Sequence, residues 1–136
     1  MADSFKFICF GSSIENLRNA LEFNIIGLTK RHSFAKGEEL YFTIKTNGEW
    51  KVCGRAKAGE ETDLNPFINA GNYYTYTITE FEACEPYEIR RRSQDILGPY
   101  WALNFQTPRI INNDEYAQFI IGNFIVTDID EMLSSL

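Results

Sequence analysis

The sequence predicts an α+β domain whose sheet is curved and mostly antiparallel. Three observations carry that expectation. Runs of β-branched and aromatic residues recur along the chain, beginning with Phe5-Lys6-Phe7-Ile8-Cys9-Phe10. Leu40, Phe42 and Ile44 alternate with Glu39, Tyr41, Thr43 and Lys45, then meet Asn47-Gly48. That pair tolerates positive φ at both centres of a type I′ hairpin turn. Finally, only two or three stretches have helical spacing, and no strand–helix–strand series appears.

Taken in order, residues 5–10 read as a strand that Gly11 stops. Ser12 and Glu15 have capping-box spacing, and Ile14, Leu17, Ala20 and Leu21 follow on one face, so residues 13–22 form an amphipathic helix. Residues 24–36 mix a turn with a short element. The hairpin's return strand covers residues 50–57, with Trp50, Val52 and Ala56 on one side. Gly54 interrupts it, which signals a bulge or a close backbone approach. Gly59, Asp63, Pro66 and Gly71 make residues 58–72 a long loop. Residues 73–83 are a Thr/Tyr-rich strand, and residues 86–95 a short helix carrying Arg90, Arg91 and Arg92. Gly98-Pro99 breaks the chain, and residues 100–105 and 109–111 read as two short strands around Thr107-Pro108. Asn113 with Asp114 and Glu115 starts a second helix, buried through Tyr116, Phe119 and Ile120 and ended by Gly122. Residues 123–127 are a last strand, and Asp128 caps an acidic terminal turn.

The length of 136 residues fits one domain, taken as residues 1–136. Hydrophobic residues at 44% with only 9 Gly and 4 Pro exclude a disordered or collagenous chain. No apolar run approaches the ~20 residues of a membrane span, and no secretory leader is visible, so the expected setting is cytoplasmic, away from membranes. The cysteines Cys9, Cys53 and Cys84 fit neither a disulfide framework nor a zinc site and read as buried, reduced thiols. His32 is the single histidine, which removes most metal sites and triads. The net charge is −6, but it is unevenly spread: residues 1–57 carry a net +3 and residues 58–136 a net −9. An acidic body with a local basic rim follows.

Candidate chemistry is sparse. A Cys–His pair would have to use His32, while every cysteine alternates as a core residue does. Gly11-Ser12-Ser13 lies between a strand and a helix start, where backbone N–H groups can hold an anion, yet no glycine-rich nucleotide motif accompanies it. The carboxylate pairs Glu38/Glu39, Glu60/Glu61 and Asp114/Glu115 all fall in turns or helix starts, where solvation is the ordinary role. Arg90-Arg91-Arg92 has the chemistry to touch phosphates, but Glu85, Glu88 and Asp95 can equally neutralise it. Tyr73, Tyr74 and Tyr76, and then Tyr100, Trp101 and Phe105, supply flat rings for packing or for stacking on a base. No enzyme is expected, because no acid–base pair stands near a nucleophile, and no cofactor or metal is expected either.

The order of segments resembles the PUA-like superfamily, especially its EVE and YTH-type domains. The strand into Gly11-Ser12-Ser13-Ile14-Glu15-Asn16-Leu17 is similar to that family's strand, serine turn and first helix. Asn24-Ile25-Ile26-Gly27-Leu28 is similar to the segment in which EVE domains usually carry Trp-x-Gly-Val, with Ile25 or Ile26 here in place of the Trp. Phe34-Ala35-Lys36-Gly37-Glu38-Glu39-Leu40-Tyr41-Phe42 looks like its lysine-x-glycine-aspartate strand signature, and Val52-Cys53-Gly54-Arg55-Ala56-Lys57 like its glycine-bearing third strand. Asp63-Leu64-Asn65-Pro66-Phe67 and the stretch from residue 100 to Asp114-Glu115-Tyr116 complete the match, with Thr107-Pro108 where a serine is usual.

The resemblance implies a small curved, mostly antiparallel β-barrel flanked by two or three helices, with a pocket between the first helix and the sheet. It implies a non-enzymatic domain that binds RNA or DNA through a modified, methylated base flipped into that pocket. On the matched segments, Ser12, Asn24 and Thr29 are expected to supply hydrogen bonds, Trp101 or Phe105 a wall, and Lys30, Arg31, Arg55 and Arg109 the phosphate contacts. The alternative is a domain of the same fold that binds a small molecule or a protein partner, which the acidic charge and the missing Trp favour.

Overall fold

The computed structural model describes residues 4–67, 74–103 and 108–136. The expected wall residue Phe105, together with Tyr73, Thr107 and the end of the predicted 58–72 loop, lies outside the described residues. The described strands are β1 (Lys6–Cys9), β2 (Ile25–Leu28), β3 (Glu39–Thr46), β4 (Glu49–Thr62), β5 (Tyr74–Glu88) and β6 (Val126–Thr127). The helices are α1 (Ile14–Phe23), α2 (Arg90–Leu97), α3 (Asp114–Gly122) and α4 (Ile129–Ser134).

The strands form one six-stranded sheet in the order β1-β3-β4-β5-β2, with β6 also on β5. Only β1 and β3 pair in parallel. The sheet does not close into the expected barrel: β1 and β2 stand at opposite ends of the pairing order, and the helix joining them packs on the sheet instead. Asn47 and Gly48 have φ of 52° and 78°, so the predicted turn does join β3 to β4.

Each face of the sheet carries its own core. Ile8, Leu40, Phe42, Ile44, Ala56 and Ile78 lie with Leu17 of α1 and Met132 of α4. Phe5, Phe7, Tyr41, Val52 and Cys84 lie with Tyr116, Ala117 and Ile120 of α3. β3 is therefore buried on both faces, which is why its alternation pairs apolar positions with Tyr41 and Thr43 and not with charges alone.

Four sequence readings give way to the structure. Val52 and Ala56 face different cores, because bulges interrupt the β4 register on both sides near residues 52–54 and shift the period of two. β4 continues through residues 58–62, read as loop, because Gly59 passes tightly against Thr77 and Thr75 Oγ1 donates to the Thr62 carbonyl over 2.7 Å. β5 takes residues 86–88, and the helix starts only at Arg90. The two late strands are absent from the described residues there: residues 99–102 form turns, and Ile111 makes a single bridge to Phe5.

Candidate nucleic-acid interface

The turn before α1 is set by Gly11 at φ 58°, whose carbonyl accepts from Lys45 N–H over 2.7 Å. The expected capping box shifts by one residue. Ser13, not Ser12, is the N-cap, its side chain accepting from Asn16 N–H over 3.1 Å. Ser12 is left exposed, lining a hollow of about 370 Å³ with Ile14, Lys45, Thr46, Asn47 and Gly48.

One turn into α1 lies a residue that the sequence reading passed over. Asn16 is only 6% exposed, and its Oδ1 has no hydrogen-bond partner among the described residues. A buried, unpaired acceptor costs stability and calls for an explanation. Its signal was present: a carboxamide stands on the apolar face of the helix beside Leu17 and Ala20.

Asn24 sits at the other end of α1. It adopts the left-handed conformation at φ 54°, donates its N–H to Ala20 and accepts at its carbonyl from Ile78 N–H over 2.9 Å. Ten helical residues separate it from Ser12, roughly 15 Å of axis. Thr29 and Lys30 follow β2 and are exposed. Arg31 beside them is 71% exposed and grips both carboxylate oxygens of Glu61, at 3.0 and 3.2 Å. Those hydrogen bonds raise its pKa further. Ser12 thus lies by the turn that joins β3 to β4 and Arg31 by the far end of β4, and neither Asn24 nor Thr29 lines the hollow that Ser12 lines.

The segment after β2 is tied back onto the sheet. His32 N–H donates to the Tyr76 hydroxyl over 2.7 Å, and the Phe34 ring packs between His32 and Tyr76, at 4.6 and 5.1 Å between centroids. Lys6 Nζ lies 3.1 Å from His32 Nε2, 3.1 Å from Glu38 Oε2 and 5.2 Å above the Phe34 ring. Burial, then the Lys6 charge, lowers the His32 pKa, with Glu38 opposing. Half-buried Tyr74 and Leu28 lie on the same face of the sheet. Rings and cations therefore do meet, at the end of the sheet where β2 stops.

The remaining candidates lie elsewhere. Arg55 is on the opposite face of the sheet, 3.0 Å from Glu82, 3.4 Å from the Tyr41 hydroxyl and 4.0 Å above the Phe124 ring. Trp101, 7% exposed, follows the Gly98 turn, and its ring is closed to solvent, whereas Tyr100 is 75% exposed. Arg109 is exposed. In the arginine run, Arg92 reaches Glu115 of α3 at 3.7 Å and not Glu85, Glu88 or Asp95.

All three cysteines are free. Cys53 and Cys84 donate to the carbonyls of Phe42 and Val52, and burial raises both thiols, Cys84 to about 12. Neither can act as a nucleophile in that state. Among the described residues no His/Cys/Asp/Glu group is placed to hold a metal, and no helix is long and apolar enough to cross a membrane.

No protein-family model matches the chain, and no curated protein does. Solved structures do match. The YTH domain of the Zygosaccharomyces rouxii MRB1 protein, in complex with N6-methyladenosine RNA, is 16% identical with a TM-score of 0.59, covering 92% of this chain and 91% of that one. The Pho92 YTH domain in complex with m6A is 20% identical with a TM-score of 0.55, covering 93% of this chain and 87% of that one. At these identities the likeness is one of fold, and the fold is YTH-type.

Proposed function

We propose that this domain is a non-enzymatic reader of RNA, a cytoplasmic branch of the PUA-like superfamily that takes up a methylated base. The observation that carries the reading is the fold likeness, over about nine-tenths of both chains, to a YTH domain in complex with N6-methyladenosine RNA. The chemistry here agrees with it. A flipped base needs an apolar slot, stacking rings and a few hydrogen bonds to its edge. The buried, unpaired Asn16 Oδ1 supplies an acceptor, and Ser12 supplies a hydroxyl one turn earlier. The half-buried rings Phe10, Phe34 and Tyr74 lie on the face of the sheet that α1 covers. Lys30 and Arg109 suit phosphate contacts, since neither has an ion-pair partner among the described residues, whereas Arg31 and Arg55 must first leave Glu61 and Glu82.

The test is a titration with four short oligonucleotides: RNA and DNA, each with and without one N6-methyladenine. A methyl group in an apolar slot is worth ~1–3 kcal/mol, so methylated RNA should bind about tenfold or more tightly than its unmodified twin. Equal affinities would reject the reading. Asn16→Ala should narrow the ratio without unfolding the domain. A second reading, a small molecule in place of nucleic acid, is favoured by the net charge of −6 and by buried Ile25 and Ile26 where EVE relatives carry Trp. Free N6-methyladenosine binding as tightly as the RNA would select it.

A further inference from the structure

We infer that an RNA strand whose base is taken up beside α1 runs on across the hairpin end of the sheet, its phosphates held by Lys45, Arg90 and Arg91. This rests on the RNA reading above and adds to it a path for the strand.

Lys45 joins the two parts of that path. Its N–H donates to the Gly11 carbonyl over 2.7 Å, which sets it beside the turn before α1. With Ser12 and Ile14 it lines the hollow of about 370 Å³ at the hairpin end. Its Nζ also lies 5.7 Å from the centre of the half-buried Trp50 ring, its ladder partner on β4. Thr46, in the wall of the same hollow, has a buried hydroxyl with no partner among the described residues. A hydroxyl left in that state calls for a partner, and a phosphate or ribose oxygen supplies one.

Trp50 leads on to α2. Ile89 N–H donates to the Trp50 carbonyl over 3.0 Å, so the first turn of α2 stands against the hairpin strand. That turn is Arg90-Arg91-Arg92, with no acidic residue in it. Cations have the wrong sign for the amino end of a helix, so stability does not account for the run. Arg92 turns to α3, 3.7 Å from Glu115 and 5.7 Å above the Phe119 ring. Arg90, two positions earlier, lies about 200° round the helix axis from it, on the flank away from α3. Lys45, Arg90 and Arg91 are exposed and have no ion-pair partner among the described residues. Acids stand close by without neutralising them. Glu88 is opposite Lys51 in the ladder and accepts from the Arg90 N–H over 2.8 Å, and Asp95, one turn on from Arg91, makes no ion pair among the described residues.

The order of these features selects the occupant. A hollow with an unpaired hydroxyl adjoins α1, a cation over an indole follows, and two guanidinium forks come after it. A single strand offers phosphates and flat bases in alternation, which suits cations interleaved with a ring. An acidic peptide would answer the cations and leave the hollow, the ring and their continuity with α1 unused.

The experiment measures binding of three- and nine-nucleotide RNAs, each with and without one central N6-methyladenine, over a range of salt. The parent should bind the methylated nine-mer about tenfold or more tightly than the methylated trinucleotide. Arg90→Gln combined with Arg91→Gln should lower the nine-mer's slope of log affinity against log salt by about 1.4, and Lys45→Gln by about 0.7, the single-strand values for two phosphates and for one. The double variant should keep the trinucleotide affinity and the methyl preference, and its melting temperature should hold or rise, since the changes relieve the helix end. Equal slopes for the parent and the double variant would overturn the inference. So would a nine-residue polyglutamate that binds as tightly as the RNA and weakens in the double variant, because the occupant would then be an acidic protein. The two readings fail separately. Nine-mers that bind without methyl preference, yet lose slope in the double variant, overturn the methylated-base reading and support the strand path; no binding of either nine-mer overturns both.

Discussion

Gly54 shows how little room the sheet leaves at single positions. A Cβ built there would lie 2.5 Å from the Phe81 ring and 3.0 Å from the Glu82 carbonyl. Its φ is ordinary, so the constraint is space and not backbone conformation. Gly54→Ala should therefore cost about 1–3 kcal/mol, the usual range for an overfilled core, as read from urea unfolding. A neutral outcome would mean that Phe81, half-buried, swings aside freely. The sequence flagged this glycine because it interrupts a strand. It could not flag the residue it meets, since Phe81 arrives from β5, twenty-seven positions later. The same holds for Arg31 and Arg55. Their type suggested phosphate, but Glu61 and Glu82 reach them only through strand pairing. Asn16 is the converse case: the pattern placed it in the core, and only the structure shows its oxygen alone.

Elements with local punctuation were legible. Asn113 and Asp128 each accept from the N–H three residues on, at 2.9 and 2.7 Å, so both helix starts are written in the sequence. The bulges in β4 were not legible, because register depends on the partner strand. The segment from Thr29 to Lys36 resisted reading for a related reason. It has no ladder and is held by side chains from β1 and β5 and by Glu38 just before β3. That anchoring is sensitive to pH. Lys6 can donate to His32 Nε2 only while the imidazole is neutral, and the fold lowers the His32 pKa below 6.5. Between the lowered value and 6.5 the unfolded chain binds the proton more readily, so this contribution is whole above pH 6.5 and fades as pH falls through it. Melting curves between pH 7.5 and 5 should drop more steeply for the parent protein than for His32→Gln. Parallel curves would show that the segment is held without the imidazole.

Across the whole molecule, the division of charge along the sequence becomes a division in space only in part. Lys30, Arg31 and Lys36 project near the end of β2, while the face carrying α3 mixes Glu39, Glu80 and Glu82 with Arg55 and Lys57. If RNA follows the basic end, Lys30→Ala should lower the slope of log affinity against log salt by about one, and Arg31→Ala by less, because Glu61 already neutralises it. Equal slopes for the parent and Lys30→Ala would remove Lys30 from the interface. Fold class was legible because period and hairpin chemistry are local. Barrel closure was not, because it depends on whether two edge strands meet, and here α1 lies between them in the chain.

The pairing of β1 with β3, across α1 and β2, has a consequence for synthesis. The amino-terminal strand leaves the ribosome long before its ladder partner exists, and β2 then waits for β5 to emerge. Until more than half of the sequence has been made, β2 therefore has no strand to pair with. A truncated product ending before residue 74 should therefore be a substrate for chaperones or proteases, not a smaller working domain.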